Sequence, residues 1–304
     1  MPFLPIRNSF SRAILDTIPI DVFSIASSGN LSTVSGSPFS GGSSNIFAGG
    51  VIIDPAGKFL YFSTRNGFEI FTIDDQSGSL EGIAGSPFNE SNQAVQSVMD
   101  TSGKFIYTNN NPTDGMAVSG FAVDSISGTV SVLPNSPFAT IPDSTGALSN
   151  LLISGQFLFH NSPANNEIEA WRIDESTGNI TSVPGSPFAT GMNPSFFVAD
   201  PEGKFLYVLN VSDATISVFS IDPTSGVLAQ ISGSPFSAVS GTGITIDPSG
   251  KFLYVITPNG IDHDFITGFN LDTTTGKLTA SSQSPYQAFV TVIGSGQLLP
   301  VKLH

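Results

Sequence analysis

Three histidines, four arginines and no cysteine limit the chemistry open to this chain. Without cysteine there is no thiolate nucleophile, no thiolate metal site and no disulfide framework. What remains is acid–base, hydrogen-bonding and hard-oxygen chemistry. His160 suits a general base, and Arg65 or Arg172 suits an anion clamp. Together they are the best available set for opening an ester or lactone. That reaction needs activated water and a donor for the developing oxyanion. A phosphorylated substrate would need several clustered cations, and two of the four arginines, Arg7 and Arg12, fall in the N-terminal segment.

Two other chemistries compete. Asp262-His263-Asp264 is the densest local cluster of ligating side chains, and Asp262 and Asp264 are oxygen donors of the kind that suits Ca2+. Their spacing matches no calcium-loop motif. Asn110, Asp114, Asn166 and Glu167 lie in variable polar segments that could hold a carbohydrate or another protein subunit without catalysis. No glycine-rich phosphate loop, serine elbow or metal-spaced histidine pair occurs.

The elements that must position these residues are repeated. Ser-Pro-Phe stands at Ser37, Ser86, Ser136, Ser186 and Ser234, and Ser284-Pro285-Tyr286 is a sixth copy, in steps of 48 to 50 residues. A period that regular defines one repeat architecture. Each unit carries a short apolar run, an Asp-x-x-Gly-Lys turn as at Asp247–Lys251, and a strand such as Phe252-Leu253-Tyr254-Val255. Proline and glycine at fixed offsets preset the turn, so the two runs form a tight hairpin. A third strand alternates with period two, as in Ile216–Ile221, and carries an aromatic column: Phe23, Phe71, Phe121, Trp171, Phe219 and Phe269. A second Asp turn leads to a fourth strand ending at Ser-Pro-Phe. Proline gives no ladder donor, which places that strand outermost.

Four antiparallel strands per unit, with no helical periodicity, predict an all-β fold, a β-propeller with four-stranded blades. Six blades are expected rather than seven. Phe289–Leu303 supplies inner strands and Ile18–Val34 outer strands of one shared blade, closing the ring and removing exposed edges. The chain is read as a single domain, 1–304, with 1–16 an N-terminal extension or extra strand and 17–36 plus 288–304 the closing blade. First-to-second and third-to-fourth turns share one face. The irregular loops, where function is usually grafted, share the other.

The run Asp-Pro-Ser-Gly-Lys-Phe-Leu-Tyr-Val, then Ile-Ser-Val-Phe-Ser-Ile-Asp, Thr-Ser-Gly-Val-Leu and Gly-Ser-Pro-Phe resembles the lactonase-type β-propeller family, which includes phosphogluconolactonase-like proteins. The resemblance runs from about Ile18 through nearly the whole chain. It implies a seven-bladed ring and lactone hydrolysis, and it assigns no catalytic residue here, because the matching positions are turn and core residues.

Composition narrows the partners. A net charge of −14 with ten basic residues excludes a row of phosphates, hence nucleic acid, and an anionic membrane surface. No stretch is long enough to span a bilayer. Absent cysteine and a Ser/Thr/Asn/Gly-rich surface point outside the cytoplasm: secreted, periplasmic or cell-surface. Because the repeat is strong and no catalytic constellation matches it, the expected role is a binding or structural interaction module. The alternative is a lactonase-like hydrolase acting on a sugar lactone through the loop face. No cofactor is required by either, with Ca2+ the one candidate.

Overall fold

The structure is a computed structural model that describes residues 18–41, 50–64, 67–88, 94–110, 116–141, 150–258 and 264–288. Every regular element among them is a β-strand. The chain divides into two compact units, one holding Met1–Pro142 with Glu175–Asn179, the other Asp143–Asp174 with Ile180–Lys302.

The first unit holds two four-stranded antiparallel meanders. One runs Val51–Ile53, Phe59–Thr64, Gly67–Ile73, Leu80–Gly82. The other runs Ala94–Met99, Phe105–Asn110, Met116–Val123, Val130–Val132. Two strand pairs precede them: Ile18–Ile20 with Phe39–Gly41, and Phe23–Ile25 with Leu31–Thr33. The strands expected from Phe289–Leu303 lie outside the described residues.

Three such meanders form the second unit. They begin at Leu151–Ser154, Pro194–Ala199 and Gly243–Ile246, and their fourth strands are Ile180–Ser182, Leu228–Gln230 and Leu278–Ala280. The middle strands are apolar on both faces. In Phe205–Asn210, Phe205, Tyr207 and Leu209 pack into one core cluster while Leu206 and Val208 pack into another. Both faces of the sheet are covered, so this strand reads as a continuous apolar run rather than an alternating one.

The Asp turns are capped as the sequence requires. Asp200 Oδ1 accepts the backbone N–H groups of Lys204 and Phe205 at 2.7 and 2.6 Å. Asp222 Oδ1 accepts those of Thr224 and Ser225 at 3.1 and 2.8 Å. Gly226 closes the latter turn with φ 77°, and a Cβ there would sit 2.5 Å from the Phe157 ring. Gly276 stands over Phe205 in the same way, at 2.6 Å. Glycine is needed at both positions for conformation and for close approach.

The Ser-Pro-Phe motif departs from expectation. It does not end the outer strand but bends it. Each Ser–Pro peptide is cis. The residue after proline opens a short fifth segment that pairs with the same third strand: Phe188 opposite Ile168, Phe236 opposite Ile216, Tyr286 opposite Ile266. Between the two pairings the serine hydroxyl oxygen accepts a third-strand N–H. Ser186 takes Ala170, Ser234 takes Val218 and Ser284 takes Gly268, at 2.8 to 2.9 Å. Ser37, Ser86 and Ser136 do the same for Val22, Ile70 and Gly120. A donor left without a ladder partner by the bend is thus satisfied.

The meander starting at Leu151 is irregular. Ser154, Gly155 and Gln156 stand where the other complete units have the five-residue Asp-x-x-Gly-Lys turn. A cleft of about 510 Å³ lies beside this shortened turn, bordered by Asp200, Pro201, Glu202 and Pro223.

Candidate active site

The hairpin formed by Phe157–Ser162 and Glu167–Ile173 carries the one described histidine. Its register sets Leu158 opposite Trp171, His160 opposite Glu169 and Ser162 opposite Glu167. Phe157, Phe159, Ile168 and Ala170 face a core cluster with Leu206, Val208 and Phe219. By alternation, His160, Ser162, Glu167, Glu169 and Trp171 share the opposite face.

His160 is completely buried, whereas the Glu169 side chain keeps 21% of its exposure. His160 Nδ1 lies 3.5 Å from Glu169 Oε2. Among the described residues, neither imidazole nitrogen and not Glu169 Oε2 has a formed hydrogen bond. The Trp171 ring lies 6.3 Å from the imidazole, tilted by 52°, and confines it from one side. A buried imidazole and a carboxylate aimed at each other are costly to leave unpaired. They are uncommon in a sheet whose other buried positions are mostly apolar.

The loop end of this hairpin is pinned. Asn161, fully buried, accepts the Asn150 N–H and donates to the Pro194 carbonyl, each at 2.5 Å. Asn150 in turn donates to the Ser195 carbonyl. Asn166 Oδ1 accepts the Asn193 N–H at 2.9 Å, and its carbonyl accepts Thr190 N–H. From the far side Asp213 Oδ2 accepts the Met192 N–H at 2.6 Å. The segment Thr190–Asn193 is therefore clamped by two hairpins. Asn166, Asn193 and Ala214, the described non-glycine residues with left-handed backbone, all border it, at φ 59°, 56° and 50°. Such conformations persist only where surrounding contacts enforce them.

The structure brings together some of the expected site residues and separates others. Asn166 and Glu167 share the hairpin with His160. Arg172 does not join them: it pairs with Phe157, three residues along and on the other face, about 10 Å away at strand rise. Its guanidinium donates to the Thr224 carbonyl at 2.6 Å and to Gln156 Oε1 at 2.7 Å, and lies over the Phe157 ring. The pairing of His160 with an Arg172 clamp is therefore corrected: alternation along the strand turns the two side chains away from each other. Arg65, Asp114 and Asp262 lie outside the described residues. Asn110 ends its strand opposite Ala117. Asp264 is 3% exposed and begins the strand Asp264–Leu271, backbone-paired with Ala288. No group of three potential metal-ligating side chains occurs among the described residues.

Glu169 was missed in the sequence. The signal is a repeat column rather than a motif. The equivalent third-strand positions hold Glu69, Ser119, Ser217 and Thr267, and their cross-strand partners are Phe62, Thr108, Val208 and Val255. Among the described residues in this column, only His160 and Glu169 place a base opposite an acid.

The 510 Å³ cleft is at the other end of the hairpin, against Phe157. Its carboxylates are engaged: Asp200 caps its own turn, and Glu202 holds Lys204 at 2.5 Å.

Residues 129–240, which include this hairpin, match the family model described as lactonase, 7-bladed beta-propeller. No curated protein sequence matches the chain. Solved structures share the fold. A periplasmic gluconolactonase from Pseudomonas aeruginosa is 17% identical, with 90% of this chain and 78% of that one covered and a TM-score of 0.65. A candidate 6-phosphogluconolactonase from Bacteroides fragilis is 19% identical, with coverages of 90% and 79% and a TM-score of 0.65. A protein from Lactobacillus plantarum is also 19% identical, with coverages of 94% and 82% and a TM-score of 0.65.

The fold is thus an all-β propeller, and the resemblance to lactonase-type propellers seen in the repeats is borne out. The matched model describes seven blades. The described residues account for five four-stranded meanders, four of them extended by the short fifth strand, and the two strand pairs between Ile18 and Gly41. The expectation of a non-catalytic binding or structural module is overturned by the lactonase match, which covers the stretch carrying His160 and Glu169 and favours the hydrolase alternative. No described helix is long and apolar enough to cross a membrane.

Proposed function

We propose that this chain is a lactonase-like hydrolase that opens an unphosphorylated sugar lactone at its variable-loop face. The observation that carries the reading is the His160–Glu169 pair, 3.5 Å apart on a strand pair inside the lactonase-matching segment. Hydrolysis needs a proton acceptor for water beside the lactone carbonyl, and a histidine–carboxylate pair supplies one. The clamped loop Thr190–Asn193, with Asn166 and Glu167 at its edge, offers amide and carboxylate groups of the kind that bind sugar hydroxyls. A neutral substrate is favoured because the net charge is −14 and Arg172 is committed to Thr224 and Gln156. The absence of cysteine and the Ser/Thr/Asn-rich surface support an extracytoplasmic location.

The test is pH-stat measurement of D-glucono-1,5-lactone opening above the spontaneous rate. Turnover by the wild-type protein that falls about a hundredfold or more when both members of the pair are removed in His160→Ala/Glu169→Ala supports the proposal, as loss of acid–base catalysis is worth that much. A wild-type protein that accelerates neither this lactone nor others of the sugar class overturns it.

A further inference from the structure

We propose that Glu169, not His160, takes the proton from the attacking water, and that His160 positions it. This rests on the hydrolase reading above and assigns the roles within that site.

Access decides between the two groups. A general base must touch the water whose proton it removes. His160 has no exposed surface, while 21% of the Glu169 side chain is exposed. The imidazole sits on the second strand of its sheet, with backbone partners on both sides, Leu151 and Glu169. Trp171 stands beside it on the same face. Glu169, on the third strand, has its Oε2 buried 3.5 Å from Nδ1, while its side chain as a whole keeps 21% of its exposure. Nδ1 lies behind Oε2 without a formed hydrogen bond, so a small approach of the imidazole would let an Nδ1–H hold that oxygen and leave Oε1 to meet water. The neighbouring acid on that face, Glu167, has no imidazole across from it: its cross-strand partner is Ser162, whose hydroxyl oxygen accepts from Asn165 Nδ2 at 3.0 Å.

The chemistry balances without a further reactant. Water oxygen bonds to the lactone carbonyl carbon as its proton passes to the Glu169 carboxylate, and the C=O π pair moves onto oxygen. The tetrahedral alkoxide then re-forms the carbonyl. The ring C–O bond breaks, and the leaving ring oxygen takes the proton back from Glu169. One water is consumed, one hydroxy acid is released, and Glu169 is again a carboxylate. His160 forms no bond to substrate and acts through Glu169 alone.

The experiment compares D-glucono-1,5-lactone opening by wild type, Glu169→Gln, Glu169→Ala with and without formate, and His160→Ala with and without imidazole. Glu169→Gln keeps the side-chain shape, and circular dichroism confirms that each variant is folded. The expected result is a kcat loss of roughly 10²–10⁴-fold in Glu169→Gln with KM little changed, as for removal of a general base. Formate, a small carboxylate, restores Glu169→Ala at least tenfold. His160→Ala loses less than Glu169→Gln and is not restored by imidazole, because its site is closed. Glu169→Gln within threefold of wild type overturns the assignment. So does restoration of His160→Ala by imidazole with no restoration of Glu169→Ala by formate. A wild-type protein that opens no lactone overturns the hydrolase reading itself, and this assignment with it.

Discussion

The hydroxyl oxygen of Ser234 accepts the backbone N–H of Val218 at 2.8 Å, sixteen residues back along the chain. That bond explains why serine precedes proline in every copy of the motif. Removing the hydroxyl in Ser234→Ala leaves a partly buried backbone donor without a partner, which costs about 1–3 kcal/mol. Urea unfolding should show this as a lower midpoint with an unchanged slope, because the surface exposed on unfolding is the same. Lactone turnover at the His160–Glu169 hairpin, on the neighbouring sheet, should not change.

Arg172→Ala separates structure from catalysis. The guanidinium bridges Gln156 and the Thr224 carbonyl, so its loss should lower the melting temperature, with an energy of about 1 kcal/mol for exposed hydrogen bonds. Catalytic efficiency should stay within twofold of wild type. A large fall in kcat would restore Arg172 to the site as an anion clamp.

The fold's period was legible in the sequence because its determinants are local. Asp200 and Asp222 cap turns within five residues of themselves, and glycine closes each turn from within it. His160 was legible as a candidate base but among the variable-loop residues, whereas the structure buries it within the strand Phe157–Ser162. Glu169 was not legible, because its partner is nine residues away and is found only through the hairpin register. Arg172 misled for the same reason. Its acceptor, Thr224, is 52 residues distant, so its commitment elsewhere could not be seen from Trp171-Arg172-Ile173.

Stability should fall at both ends of the pH scale, from different groups. Hydrogen bonds from the Ser225 backbone N–H and hydroxyl, and then from Thr224, hold Asp222 below the usual carboxylate range. Backbone N–H groups of Ser127 and Ile126 do the same for Asp124. A depressed folded-state pKa gives stability that is present above the ordinary value of about 4 and is lost as pH falls below it. Burial, followed by the nearby Asp200 charge, pushes the Tyr207 hydroxyl well above its ordinary value, and burial with Asp54 does so for Tyr61. A raised pKa gives stability that is complete below pH of about 10 and is lost above it, as the unfolded chain ionises first. Unfolding free energies across this range should therefore form a plateau. Asp222→Asn should flatten its acid limb and Tyr207→Phe its alkaline limb.

A chelator distinguishes the carboxylate chemistry from a metal-assisted one. If Glu169 carries the proton, turnover and melting temperature should both be unchanged after treatment with EDTA. A drop in either, reversed by Ca2+, would bring Asp262 and Asp264 back into consideration.

Gly226 seated on Phe157 and Gly276 seated on Phe205 have a consequence for how such a chain can lengthen or shorten. Among the described residues four such contacts repeat: Gly128 on Phe59, Gly178 on Phe105, Gly226 on Phe157 and Gly276 on Phe205. Each is a glycine key seated on the phenylalanine lock of the unit before it. A duplicated or deleted stretch of one whole period restores every lock to a key. An insertion of half a period strands one of each. Gene-level expansion of this architecture is thereby quantised, and recombination between copies is tolerated wherever the crossover falls at equivalent positions. A variant built with one extra whole unit should fold, while one with an extra half unit should not.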